Sequence, residues 1–139
     1  MSDVKIRKID DKLQIWDVLR SKWVACTPEE RVRQWLVGVL KQTGINPSRM
    51  ASEVKVNVNE RNLRADVVVY GDDFAPKMIC ECKAPKIKIG DDTFLQAAMY
   101  NVKLQVPYLL ITNGEKLYCA HVDVDTGDYK FLPNIPFIE

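Results

Sequence analysis

The chain has 139 residues, of which 47% are hydrophobic and 28% charged, as expected for one globular domain with its own core. No apolar run approaches the roughly 18 residues of a membrane span, and the first residues carry no apolar signal core, so we expect a cytoplasmic protein without a membrane partner. The formal net charge is +1, so any affinity for nucleic acid has to come from a local basic patch.

The four cysteines are Cys26, Cys80, Cys82 and Cys119. Their spacing matches no zinc-binding pattern. Because side chains alternate along a strand, Cys80 and Cys82 share one face, opposite Glu81. We expect them to be reduced core residues.

The first 26 residues predict two short strands, over 12–19 and 22–26, which we interpret as an N-terminal β extension of the same domain. Thr27 and Pro28 then predict the start of a helix, with Glu30 completing a capping box. An apolar stripe runs along one side of this predicted helix, and Gly44 ends the helix.

Alternating or continuous apolar runs predict strands over 50–58, 64–70, 77–83, 107–112 and 116–122, with an edge strand in the tail 129–139. A second helix is predicted over 92–104. The order of elements predicts an α/β fold: a single domain with a central mixed sheet flanked by helices.

Asp66 and the run Glu81-Cys82-Lys83 lie on two consecutive predicted strands joined by a turn-rich connection. Glu81 and Lys83 point to the same face, and strand pairing can bring Asp66 beside them. Two carboxylates with the backbone carbonyl of Cys82 are hard oxygen ligands of the kind that Mg²⁺ prefers. Lys83 would orient or activate a water molecule. The simpler interpretation is a salt bridge between Lys83 and one of the carboxylates.

Two helical features extend this candidate catalytic and metal site. By helical phase, Glu29 leans toward the sheet and Glu30 toward solvent, so Glu29 is the predicted third metal-site carboxylate. On the second helix Gln96 and Tyr100 are four residues apart and share a face. A Gln amide and a Tyr hydroxyl can hold a water or a phosphate oxygen, although core packing explains Tyr100 equally well.

Four basic residues can form a rim that contacts a phosphate backbone: Arg31, Arg33, Lys86 and Lys88. Such contacts would position a nucleic acid without reading its sequence, and a solvated charged face explains them as easily. No Gly-rich phosphate loop occurs, so an ATP site is not expected.

Together these residues resemble the PD-(D/E)XK nuclease superfamily, and more specifically the N-terminal nuclease domain of the restriction subunit of type I restriction enzymes. The resembling segments are 27–34 (which includes Gln34), 64–69, 80–85, 94–101 and 112–114. Ala65 stands where the proline of the superfamily name would be. Gln96 and Tyr100 resemble an additional motif of RecB-type nucleases.

The resemblance implies a restriction-endonuclease-like fold over residues 27–139. It also implies Mg²⁺, with Mn²⁺ as a substitute, bound at Asp66 and Glu81, with Lys83 catalytic, Gln96 and Tyr100 supporting, and Glu29 as the outer carboxylate. DNA is the implied substrate, and a homodimer or other restriction-modification subunits are the implied protein partners. The ATP-driven motor that follows this domain in the family is not found in the sequence.

Two other functions are compatible with the sequence. One is a non-catalytic module on the same fold that binds nucleic acid or protein. The other is a structural domain in which Glu81 and Lys83 form a surface ion pair.

Overall fold

The computed structural model describes residues 4–58 and 61–139, so residues 1–3 of the predicted extension lie outside it. The elements are β1 (Ile6–Ile9), β2 (Lys12–Asp17), β3 (Lys22–Ala25), α1 (Pro28–Gln42), a 3₁₀ turn (Pro47–Arg49), β4 (Met50–Val58), β5 (Arg61–Tyr70), β6 (Pro76–Cys82), α2 (Asp91–Leu104), β7 (Tyr108–Thr112), β8 (Leu117–Val122) and β9 (Tyr129–Leu132). The predicted helices and strands are therefore present, and β1 is an addition to them.

The N-terminal strands β1, β2 and β3 form an antiparallel three-stranded sheet of their own. The turn between β1 and β2 consists of Asp10 and Asp11, both with positive φ (50° and 62°). Two residues of positive φ suit the right-handed twist of a tight hairpin, and Asp tolerates this conformation better than most residues. β1 was not predicted, because this turn contains no glycine.

Helix α1 begins as predicted, since Thr27 Oγ1 accepts a hydrogen bond from the main-chain N–H of Glu30 at 3.0 Å. The predicted capping box is only half formed. The N–H of Thr27 donates to the carbonyl of Ala25 at 3.0 Å, and the Glu30 carboxylate pairs with residues outside the cap. No helix in the described residues is both long and apolar enough to cross a bilayer.

The central sheet has six strands in the order β4-β5-β6-β7-β8-β9. Only β6 and β7 are parallel, and α2 connects them; all other neighbours are antiparallel. A parallel pair requires such a crossover. The prediction of a mixed α/β sheet is confirmed.

The two helices pack on opposite faces of this sheet. Leu36 and Leu40 of α1 contact Val67 and Cys80 on one face. Phe94, Ala97 and Ala98 of α2 contact Leu109 and Ile111 on the other. Full burial of such side chains contributes about 1.5–3 kcal/mol each. Because β6 is covered on both faces, polar side chains near its end are placed inside the domain.

The pairing of β4 with β5 is irregular at Glu53. The pairs on either side are Ser52 with Val67 and Val54 with Ala65. Glu53 therefore lies opposite Asp66, and its φ is +51°, which costs a non-glycine residue about 1–2 kcal/mol. Beyond this point Ala65 packs with Val68 and Ile79 rather than with Val67, so the strand no longer alternates regularly at Asp66.

Candidate active site

Asp66 lies where β5 and β6 stop pairing. The last paired residues on this side are Val67 and Cys80. Two residues further along β6, the main-chain N–H of Cys82 donates to Oδ2 of Asp66 at 2.7 Å. The Asp66 carboxylate thus accepts a hydrogen bond from an N–H that would otherwise pair with a carbonyl of β5. This contact fixes Asp66 against β6.

Glu81 and Lys83 line a cleft of about 260 Å³ between the end of β6 and helix α2. Gln96 and Tyr100 of α2 line the same cleft. Its other lining residues are Arg64, Ala65, Ile79, Thr93, Ala97 and Leu104. Four of the predicted site residues therefore face one cavity, and Asp66 is tied to it through Cys82, the residue between Glu81 and Lys83.

The charges of the two carboxylates act on each other. Burial raises the pKa of Glu81 to about 7, the negative charge of Asp66 adds to this shift, and Lys83 opposes it. Burial also raises the pKa of Asp66, and the charge of Glu29 raises it further. The hydrogen bond from the Cys82 N–H and the charges of Arg33 and Lys83 lower it, but by less than it is raised. The surroundings thus disfavour the charged form of both carboxylates, and a cation held by both would offset this cost.

Lys83 does not form the simple ion pair considered above. Within the described part of the chain, no ion pair within 4.0 Å joins Lys83 to Asp66 or Glu81. Its main-chain N–H donates to the carbonyl of Thr112 at 2.8 Å, so its backbone is held by β7. The Lys83 side chain therefore lines the cleft and forms no ion pair with Asp66 or Glu81.

Cys80 and Cys82 are core residues, as expected. All four cysteines are free thiols, and Cys80, Cys82 and Cys119 are buried. Cys80 and Cys82 pack in the cluster that also contains α1, and burial raises the pKa of both thiols. They are protonated structural groups, and the Cys82 backbone is the part of that residue at the site.

The orientation predicted for Glu30 is wrong. Glu30 is only 6% exposed, whereas Glu29 is exposed. Oε2 of Glu30 lies 3.2 Å from Arg33 Nε and accepts a hydrogen bond from Gln34 Nε2 at 3.2 Å. The apolar stripe does not mark all of the buried surface of α1, because Glu30 and Gln34 are also buried, against the turn after β2. Glu29 is nevertheless near enough for its charge to act on Asp66.

Arg33 does not belong to an exposed basic rim, which corrects the prediction made for it. It is 8% exposed, and its guanidinium lies between Glu30 and Glu53, with Nη2 3.3 Å from Glu53 Oε1. The other members of the predicted rim, Arg31, Lys86 and Lys88, are exposed. Their role in binding a phosphate backbone remains a prediction.

Gln34 links the helix to the N-terminal sheet. Its Oε1 accepts a hydrogen bond from the main-chain N–H of Val18 at 3.1 Å, while its Nε2 donates to Glu30. Gln34 is 4% exposed, so these bonds are made in the interior. This amide connects the turn after β2 to the first turns of α1.

Asn113 anchors the loop that follows β6. Its Nδ2 donates to the carbonyl of Ile87 at 2.9 Å, and its Oδ1 accepts from the N–H groups of Glu115 and Lys116. The sequence indicated only a turn here. The same residue also fixes the segment that carries Lys86 and Lys88, and no feature of the sequence pointed to that contact.

The donor set at this site fits a hard divalent cation with few protein ligands. In the described residues, no three His, Cys, Asp or Glu side chains form a metal-ligating group, so Glu29, Asp66 and Glu81 do not make a three-carboxylate cage. Mg²⁺ commonly uses one or two carboxylates and completes its shell with water and substrate phosphate. Asp66 and Glu81 supply that number, beside an open cleft.

A comparison with solved structures supports the fold. The chain is similar to a fragment described as coming from the HsdR subunit of a type I restriction enzyme of Vibrio vulnificus YJ016, with a TM-score of 0.57 and 22% sequence identity. The match covers 80% of this chain and 24% of the other chain, so this protein corresponds to about a quarter of that fragment. No curated protein matches the sequence significantly.

The family comparison covers most of the chain. The family described as the type I restriction enzyme R protein N terminus matches residues 28–136, which include α1, the six-stranded sheet and α2 but not the N-terminal sheet. The PD-(D/E)XK architecture is consistent with this assignment. The chain belongs to the family of type I restriction enzyme R protein N-terminal domains.

Proposed function

We propose that this domain is a Mg²⁺-dependent nuclease that hydrolyses phosphodiester bonds of DNA. The observation that carries the proposal is the hydrogen bond that holds Asp66 to Cys82 at the end of β6, next to Glu81, which lines one cleft with Lys83, Gln96 and Tyr100. Membership of a restriction-subunit family supports DNA as the substrate. Mn²⁺ is the expected substitute, and a homodimer or other restriction-modification subunits are the proposed protein partners.

Asp66 and Glu81 would hold the cation, with the backbone carbonyl of Cys82 as a third oxygen. Glu29 would be the outer carboxylate of the site. Bound Mg²⁺ supplies a Lewis acid for the phosphate and lowers the pKa of a water molecule. The Cys82 N–H keeps one oxygen of Asp66 in place. The second oxygen is thereby oriented before substrate arrives, which is the preorganisation that charge stabilisation requires.

Lys83, Gln96 and Tyr100 would act on the reacting groups. Lys83 orients the attacking water and offsets the negative charge that develops on the phosphate. The attacking water loses one proton to solvent as its oxygen forms a bond to phosphorus. The bond from phosphorus to the ester oxygen breaks, and the leaving oxygen takes up a proton from solvent. The Gln96 amide and the Tyr100 hydroxyl, which line the same cleft, donate hydrogen bonds to a phosphate oxygen or to the water.

The test combines cleavage and cation binding. Purified protein is incubated with Mg²⁺ or Mn²⁺ and supercoiled, linear double-stranded or single-stranded DNA, and Mn²⁺ binding is measured by calorimetry. Asp66→Ala, Glu81→Ala and Lys83→Ala are expected to abolish cleavage, and the first two also Mn²⁺ binding. Asp125→Ala, which changes an exposed carboxylate in the turn between β8 and β9, at the opposite end of the sheet from Cys82, serves as the control. The proposal fails if no DNA form is cut and no Asp66-dependent binding is found.

A non-catalytic nucleic-acid-binding module is the second candidate. It is favoured by the exposure of Arg31, Lys86 and Lys88, which are available to phosphate groups whether or not a cation binds. This function predicts salt-dependent DNA binding that Asp66→Ala leaves unchanged or strengthens, because a negative charge is removed from the binding surface.

A further inference from the structure

Glu53 connects three arginines at the position opposite Asp66. Its Oε2 lies 2.9 Å from Arg20 Nη1 and 3.8 Å from Arg64 Nη1, and its Oε1 lies 3.3 Å from Arg33 Nη2. The backbone of Glu53 has a φ of +51°. A strand residue adopts this conformation only where its surroundings impose it, and these contacts are the constraint present here.

Arg33 is the buried partner in this arrangement. Its guanidinium lies between Glu53 on β4 and Glu30 on its own helix. Among the described residues, neither its Nε nor its Nη1 has a hydrogen-bond partner. Its positive charge reaches Asp66, where it lowers the pKa of the carboxyl group against the effect of burial. Arg33 therefore fixes the strand opposite Asp66 and also acts on Asp66 electrostatically.

The turn after β2 supports the same cluster. The carboxylate of Asp17 is fully buried, accepts hydrogen bonds from the main-chain N–H groups of Leu19 and Arg20, and pairs with the Arg20 guanidinium. Arg20 in turn contacts Glu53 and, at 3.6 Å, Glu30. A continuous series of ion pairs thus runs from the N-terminal sheet to the strand beside Asp66.

We propose that Glu53 and Arg33 are positioning residues for Asp66, and that the N-terminal sheet braces them through Arg20. An irregularity in strand pairing re-aims nearby side chains. If Glu53 relaxed to a regular strand conformation, regular pairing through residues 53 and 66 would turn the Asp66 side chain away from the Cys82 N–H. The metal-binding part of this proposal rests on the proposed function; the positioning part does not.

The direct readout is the main-chain amide of Cys82, followed by NMR hydrogen exchange in ¹⁵N-labelled protein. Glu53→Gln keeps the shape of the side chain and removes its charge; Arg33→Lys keeps the charge and removes the forked geometry. In both variants we expect Cys82 to exchange at least about tenfold faster relative to the core amide of Leu110, in excess of any global loss of stability. We also expect Mn²⁺ to bind about tenfold or more weakly. Asp125→Asn, which removes an exposed carboxylate charge in the turn between β8 and β9, is the matched control.

The outcomes separate the positioning role from the proposed function. The inference is overturned if folded Glu53→Gln shows unchanged Cys82 exchange and unchanged Mn²⁺ affinity. It is also overturned if the Cys82 and Leu110 amides exchange faster by the same factor. If Glu53→Gln does not fold, Arg33→Lys decides by the same measurements. If wild-type protein neither binds Mn²⁺ nor cuts DNA, the nuclease proposal fails, while Cys82 exchange still decides whether Glu53 and Arg33 position Asp66.

Discussion

The main-chain N–H of Cys82 donates to Oδ2 of Asp66 at 2.7 Å, immediately beyond the last paired residues of β5 and β6. Cys82 is 5% exposed, so this N–H has little access to water. The Asp66 carboxylate therefore has two roles: it completes the backbone hydrogen bonding of the sheet and it is the central candidate ligand of the site. Substitutions that keep or remove its acceptor oxygen separate these roles.

Asp66→Asn and Asp66→Ala should both abolish Mn²⁺ binding and cleavage, but they should differ in stability. Ala leaves the Cys82 N–H without its acceptor, which costs about 1–3 kcal/mol. Asn keeps an oxygen acceptor and removes the negative charge. Because burial raises the pKa of Asp66, the fold disfavours that charge, so the melting temperature of Asp66→Asn should equal or exceed that of wild type. Thermal unfolding at pH 7.5 distinguishes the two; equal destabilisation by both would contradict the role of the hydrogen bond.

Glu81→Gln should stabilise the domain at high pH and not at low pH. Burial, with Asp66, raises the pKa of Glu81 from 4.5 to about 7, so folding favours the protonated form. The cost of ionisation is absent below pH 4.5, increases between pH 4.5 and 7 and is complete above pH 7. The shift corresponds to at most about 3 kcal/mol.

Urea unfolding of wild type and Glu81→Gln at pH 5 and pH 8 measures this effect in the absence of divalent cations. The difference between the two proteins should be larger at pH 8. A difference independent of pH would show that Glu81 is not held as a strained carboxylate in the folded state.

The fold was readable from the sequence because its signals are local. Thr27-Pro28 begins a helix, Gly44 ends it, and the apolar runs of β5, β6 and β7 match the length of buried strands. β1 was missed because the turn Asp10-Asp11 has no Gly, and the register of the strands lay beyond single-sequence reasoning.

The site was only partly readable. Glu81, Lys83, Gln96 and Tyr100 were predicted from strand alternation and helical spacing, and the structure brings them to one cleft. The position of Glu53 was not predictable, because its neighbours come from elements distant in sequence and its φ is set by them. The burial of Glu30 and Arg33 was missed for the same reason: Glu30 pairs with Arg20 and Arg33 pairs with Glu53, and helical phase does not reveal such tertiary partners.

Asp17→Asn should lower the free energy of unfolding at neutral pH by about 1.5–3 kcal/mol, because it removes a charged partner from Arg20. Burial alone would raise the pKa of Asp17, but hydrogen bonds and the charge of Arg20 lower it overall. Its stabilising effect is present above the ordinary value of 3.8 and is lost as pH falls through the lower folded value. Urea unfolding should therefore show a smaller difference in free energy of unfolding between wild type and Asp17→Asn at pH 3 than at pH 7. The same difference at both pH values would contradict the ion pair.

Lys86→Met and Lys88→Met should weaken DNA binding without changing its sequence preference. Both side chains are exposed on the loop after β6. Each lost phosphate contact should reduce the slope of log K against log salt by about 0.9. Fluorescence anisotropy without divalent cations measures this slope, and Lys130→Met on the far edge strand β9 is the control. An unchanged slope in the double variant would place the DNA elsewhere, and Arg31 would then be tested by the same measurement.

Gln96→Ala and Tyr100→Phe should reduce turnover of DNA by about 2- to 10-fold each, without loss of Mn²⁺ binding. Each removes one hydrogen bond of about 0.5–1.5 kcal/mol from the cleft, and neither removes a carboxylate. Met99→Leu, an exposed neighbour on α2, should leave turnover unchanged. Single-turnover cleavage at saturating enzyme measures the effect on the chemical step. If Tyr100→Phe matches wild type while Gln96→Ala is slower, the hydroxyl has no catalytic part and Tyr100 serves only to pack α2 against the end of β6.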